Sequence, residues 1–160
     1  MFRLSKLAVC ALTIGATLLA AAPSAAAAPC TTTAALDASY TEHFGGPTGA
    51  APTGGSGKDV TFGTFTEELV SGPGRYLTRI LTFEDGSTLI LRESFESFSS
   101  PGNFEGNPNS YGNPGTVVFS FKVVGGTGVF AGASGSGTDT ITFAGDVGQG
   151  TLTGTITLKC

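Results

Sequence analysis

Residues 122–137, KVVGGTGVFAGASGSG, decide the fold. Val123 and Val124 close an apolar alternating run. Gly125, Gly126 and Gly128 are then expected to supply the positive φ angles and missing Cβ atoms of a tight turn. Val129 and Phe130 return two apolar side chains to the core before Gly132, Gly135 and Gly137 reopen the backbone. Strongly bent barrel strands need glycine at their corners. A phosphate-cradling loop would need GxGxxG or GKS/GKT spacing and a following helix. Neither spacing occurs, and Thr138, Ile141 and Phe143 continue as a strand.

Working back along the chain, residues 75–98 form its clearest hairpin. A two-residue turn at Asp85-Gly86 would mix polar and apolar residues on both faces. A three-residue turn, Glu84-Asp85-Gly86 with Gly86 left-handed, pairs Phe83 with Ser87 and gathers Leu77, Leu81, Phe83, Leu89, Leu91 and Phe95 on one face. The second register is preferred, because one face of a barrel strand must be buried. It places Arg79 and Glu93 on the apolar face, diagonally across the hairpin and within reach of each other. Buried charges are costly unless paired. Three readings stay open: a structural ion pair, a face covered by another subunit, or a polar pair in an apolar lumen able to orient a carbonyl, epoxide or enol.

The other strands follow from alternation. Residues 31–44 set Leu36, Ala38, Tyr40 and Phe44 against Asp37, Ser39, Thr41 and His43. Residues 58–70 read as one strand with a bulge at Gly63, which turns Val60, Phe62, Phe65, Leu69 and Glu67 inward; without the bulge Glu67 faces out and Glu68 in. Val117, Phe119, Phe121 and Val123 face the core, as do Leu152, Ile156 and Leu158, with a threonine ladder outside. The expected lumen lining is Tyr40, Phe65, Leu77, Leu81, Leu91, Phe95, Phe119 and Phe121. Asp139 is in phase with Ile141 and Phe143, and its closeness to the corner leaves two positions open, the rim or the lumen. Residues 45–57 and 99–115, rich in Gly and Pro, read as flexible loops, the second carrying Phe104 and Tyr111.

The corner GGTGVFAGASG at 125–135 resembles the GGTGxFxxAxG signature of dirigent proteins and bacterial allene oxide cyclase-like barrels, and Phe83-Glu84-Asp85-Gly86-Ser87 resembles their FxDGS hairpin. The resemblance covers roughly residues 60–158, and its motifs are structural glycines, Gly86, Gly125, Gly126, Gly128 and Gly132. It implies an all-β, single antiparallel barrel of about eight strands whose lumen holds an apolar ligand. In plant members the lumen guides cyclisation or coupling of a reactive hydrophobic intermediate without a cofactor. Relatives also often form dimers or trimers, and Ile80, Ile90 and Val118 on outward faces suit such a contact.

At the N-terminus, Arg3 and Lys6 precede an apolar run from Leu7 to about Ala22 and small residues through Ala28. This pattern is expected to be a cleaved signal peptide over residues 1–28 rather than a transmembrane anchor, making residues 29–160 one secreted domain. Its removal takes two of eight basic residues and none of twelve acidic ones, leaving six against twelve. So acidic a chain with scattered cations disfavours nucleic acid and anionic membranes. Cys30 and Cys160 then sit at the two ends of the domain in an oxidising compartment, where a bridge is the default. Two cysteines and His43 do not make a tetrahedral metal set, so no metal or cofactor is expected.

Established catalytic signatures, GxSxG, HExxH and a Ser/His/Asp set among them, are absent. The candidate catalytic residues are Arg79, Glu93 and Glu67. Two classes of function survive: a barrel binding a small hydrophobic ligand, with a cofactor-free cyclase or isomerase as its catalytic form, and a structural barrel filled by Phe and Leu.

Overall fold

The computed structural model describes residues 30–45, 51–71, 76–99, 114–144 and 147–160. Eight strands run β1 Thr31–Gly45, β2 Ala51–Asp59, β3 Gly63–Ser71, β4 Tyr76–Phe83, β5 Thr88–Ser99, β6 Gly115–Gly126, β7 Ser134–Ala144 and β8 Val147–Lys159. Each pairs antiparallel with the next, and β8 pairs with β1 to close the barrel. Closure gives every strand a neighbour on both sides.

The hairpin adopts the three-residue turn. Phe83 N donates to Ser87 O at 2.9 Å, Gly86 N donates to Phe83 O at 2.9 Å, and Gly86 has φ 81°. Thr82 therefore faces Thr88 and Leu81 faces Leu89, so both strands present one apolar face inward. At the corner a short 3-10 turn, Gly128–Phe130, buries Phe130 completely. Gly128 and Gly132 have positive φ, but Gly125 and Gly126 do not. Gly126 is needed for space instead, since a Cβ there would lie 2.6 Å from Thr88 O and 2.7 Å from the Phe130 Cβ.

Two sequence expectations are corrected. Residues 51–57 belong to β2 rather than to a loop: Gly55 and Gly57 face inward, and their missing side chains admit Glu67, Tyr40 and Phe65 from β1 and β3. A strand of this kind has the composition of a linker and the job of a spacer. Residues 58–70, in turn, are not one bulged strand. The chain reverses at 60–62, leaving Val60 79% exposed, with Gly63 opening β3 at φ 90°. Buried Asp59 holds that reversal by accepting from the backbone N–H groups of Asp37, Thr61 and Phe62 at 2.7–2.8 Å.

The two ends of the barrel differ. One end carries the 60–62, 84–87 and 127–133 connections and is plugged by Phe62, Phe83 and Phe130, whose ring centroids lie 4.9–6.1 Å apart. The Cys30–Cys160 disulfide, spanning 130 residues, fastens β1 to β8 there. At the other end Leu69, Leu77 and Phe98 are only half-buried, and Phe95, expected inside, is 45% exposed beside a bulge between Phe95 and Ser97. Residues 99–115 were expected to be a loop, and of these 100–113, with Phe104 and Tyr111, lie outside the described residues, as do residues 1–28, expected to be a leader. Between the ends, Leu36, Phe65, Leu81, Leu91, Phe121 and Leu152 form the apolar middle layer.

Candidate functional site in the barrel lumen

Arg79 is fully buried on the inner face of β4, with leucines as its register partners on both sides: Leu69 on β3 and Leu91 on β5. A guanidinium cannot shed its proton at ordinary pH, so this position demands anionic partners. Its Nε donates to Glu93 Oε1 at 2.7 Å, as the hairpin register implies. The guanidinium reaches well beyond that pair. Nη2 donates to Asp139 Oδ2 at 3.0 Å, and Nη1 donates to Glu42 Oε2 at 3.3 Å and to Glu67 Oε2. Tyr40 completes the group: its ring lies 4.5 Å from the Arg79 Cζ, and its hydroxyl donates to both Asp139 oxygens at 2.7–2.8 Å.

Strands β1, β3, β4, β5 and β7 thus deliver Tyr40, Glu42, Glu67, Arg79, Glu93 and Asp139 to one layer, all of them buried. Glycines on β2 and β8 make the room. Glu42 pairs with Gly55 on one side and Gly148 on the other, and Tyr40 with Gly57 and Gly150. A Cβ on Gly150 would collide with the Tyr40 ring, and one on Gly55 with Glu67 Oε1.

Four carboxyl groups surround one guanidinium, so full ionisation would leave a net charge of −3 in a water-poor interior. Burial opposes that. It raises the Glu67 carboxyl to about 7 and the Asp139 carboxyl to about 8, against the downward pull of Arg79, and it raises Glu42 as well. Burial also pushes the Tyr40 hydroxyl up. For Arg79, burial favours proton loss, but Glu93, Tyr40, Asp139 and Glu67 outweigh it and keep the guanidinium charged. Glu67 Oε1 and Glu93 Oε2 have no hydrogen-bond partner among the described residues. The layer therefore combines a fixed cation, a phenol and carboxyls that exchange protons near neutral pH, the equipment of general acid–base chemistry and of oxyanion stabilisation.

Among the sequence candidates, Arg79, Glu93 and Glu67 come together here. Tyr40 joins them through its hydroxyl rather than as apolar lining. Phe65, Leu81, Leu91, Phe119 and Phe121 are buried in the lumen, and Leu77 is half-buried. Asp139 is not at the rim: it is fully buried at the centre, because β7 begins at Ser134 and carries it six residues in from the corner. Glu42, outside the sequence candidates, is buried here too, because the alternation that turns Leu36, Ala38 and Tyr40 inward continues to it. His43 is exposed on the opposite face.

The molecule is an eight-stranded up-and-down barrel with an ionisable layer in its lumen. Comparison of the chain with protein-family models, with curated proteins and with solved structures found no match.

Proposed function

We propose that this chain is a secreted barrel of the dirigent and allene oxide cyclase-like kind that takes a small, mainly apolar molecule into the end of its lumen bordered by Leu69, Leu77 and Phe98. There the ligand's oxygen function meets the acid-rich layer around Arg79. The observation that carries this reading is the excess of acid. A structural role for a buried Arg79 needs one or two carboxylates, whereas this layer holds four, two of them with an oxygen that has no partner among the described residues. In the catalytic form of the proposal, a protonated Glu67 or Asp139 donates its proton to a carbonyl or epoxide oxygen as the C–O π bond or ring bond breaks, Arg79 stabilises the carboxylate left behind, and that carboxylate then takes a proton from a substrate carbon, so that a cofactor-free isomerisation or cyclisation restores the layer's protons. The disulfide supports the secreted assignment. Association of copies through Ile80 and Ile90, cross-strand partners on the outer face, belongs to the same proposal and is read by sedimentation.

A second reading, a barrel with no ligand, is favoured by the close filling of the middle layer, where Leu81, Leu91 and Leu152 have no exposure. Titration with the neutral apolar fluorophore N-phenyl-1-naphthylamine separates the two. Saturable 1:1 binding that is weakened at least tenfold by Leu77→Trp, with the fold retained, supports the ligand-binding reading. No saturable binding leaves the structural one.

A further inference from the structure

The outer wall of the barrel carries a cleft of about 450 Å³ over β4 to β7, on the opposite side of the sheet from the ionisable layer. Its walls are two cross-strand rows. Tyr76 faces Ser94, Ser94 faces Ser120, and Ser120 faces Thr138, while in the next row Arg92 faces Lys122 and Lys122 faces Ser136. Arg92 and Lys122 are thus direct register partners, both exposed, and neither makes an ion pair among the described residues. Like charges placed opposite each other on a sheet destabilise it. They are adjacent here in a chain whose residues 29–160 carry twice as many acidic as basic side chains. The nearby carboxylate, Glu96, accepts a hydrogen bond from Ser120. Tyr76, half exposed, supplies an aromatic ring at one side, and Val124, also exposed, lies on the same lining.

The geometry points to this cleft as a binding site for an acidic saccharide, a sugar bearing a carboxylate such as a uronic acid unit. Arg92 and Lys122 match the carboxylate in charge, and the guanidinium can do so with two parallel hydrogen bonds. The surrounding serine and threonine hydroxyls match the polyol, and the Tyr76 ring offers a face for the C–H side of the sugar. The volume falls within the range of small-ligand sites. Two cations are too few to hold the chain on nucleic acid or on an anionic bilayer against its acidic charge.

The test is a titration of the disulfide-bonded protein with digalacturonate, followed through backbone amide shifts. Shifts should concentrate on β5 and β6. The methyl ester of the same disaccharide should bind at least tenfold more weakly, and 0.5 M salt should weaken the acid form. Arg92→Gln and Lys122→Gln should each reduce affinity about tenfold without lowering thermal stability, because each relieves the like-charge pair. Tyr76→Ala should weaken digalacturonate while leaving inorganic sulfate unaffected. Equal binding of acid and ester would overturn the assignment, as would a Tyr76→Ala variant that binds digalacturonate normally. So would shifts that appear only with vesicles of anionic lipid.

Discussion

Replacing Arg79 by Met should destabilise the barrel by an amount that grows with pH. Arg79 bonds Glu42, Glu67, Glu93 and Asp139 at once, and methionine keeps most of its volume while removing its charge and all its donors. At pH 5 the Glu67 and Asp139 carboxyls, which titrate near 7 and 8, already hold their protons. The variant then loses hydrogen bonds to those two neutral groups together with its pairing to the remaining acids, a cost of about 3 kcal/mol. At pH 8 the native Glu67 has ionised against Arg79, but without the cation each buried carboxyl must keep its proton to a higher pH. Every unit by which a carboxyl's folded pKa rises further adds about 1.4 kcal/mol. Moving Glu67 from about 7 to beyond 8, with Glu42 following, brings the expected loss at pH 8 to about 4 kcal/mol, the range for a broken buried ion pair. Urea unfolding of both proteins at pH 5 and pH 8, with the disulfide intact, measures the difference. Equal losses at the two pH values, or a loss under about 1 kcal/mol at pH 8, would refute the account of Arg79 as the counter-charge of the layer.

The native protein should itself be most stable in mild acid. The folded pKa values of Glu67 and Asp139 are raised, so their contribution is complete below about 4 and is lost as pH climbs through 7 to 8. Glu67 alone accounts for about 3 kcal/mol of that fall, and a melting temperature that rises from pH 5 to pH 8 would contradict it. Gly150→Ala should cost about 3 kcal/mol by driving its methyl group into the Tyr40 ring, seen as a lower unfolding midpoint and a changed tyrosine near-ultraviolet signal. Cys30→Ser should cost up to about 5 kcal/mol, the chain-entropy value for a loop of 130 residues. A variant within 1 kcal/mol of the native protein would show that the unfolded chain is already compact.

The strands other than β2, the hairpin register and the disulfide were legible from the sequence, because each rests on local chemistry: period-two alternation, the left-handed glycine at position 86, and cysteines at the two ends of the domain. The inward positions of Arg79 and Glu93 followed from the same alternation, whereas Glu67 is turned inward by the reversal at 60–62 and not by the bulge the sequence suggests. β2 was hidden, since its inner face is made of glycines that have no hydrophobic signature until the side chains they admit, Tyr40, Phe65 and Glu67, are seen on neighbouring strands. That one misreading also turned Val60 inward. Alternation shows which face a residue takes but not how far along the barrel axis it stands, so it leaves Asp139 open between rim and lumen and gives Arg79 a single partner. Only the closure of β8 onto β1 and the stagger of the strands brought acids from β1, β3, β5 and β7 to the same height. Charge balance in a buried layer depends on every group within a few ångströms, and those groups are up to 99 residues apart in the chain.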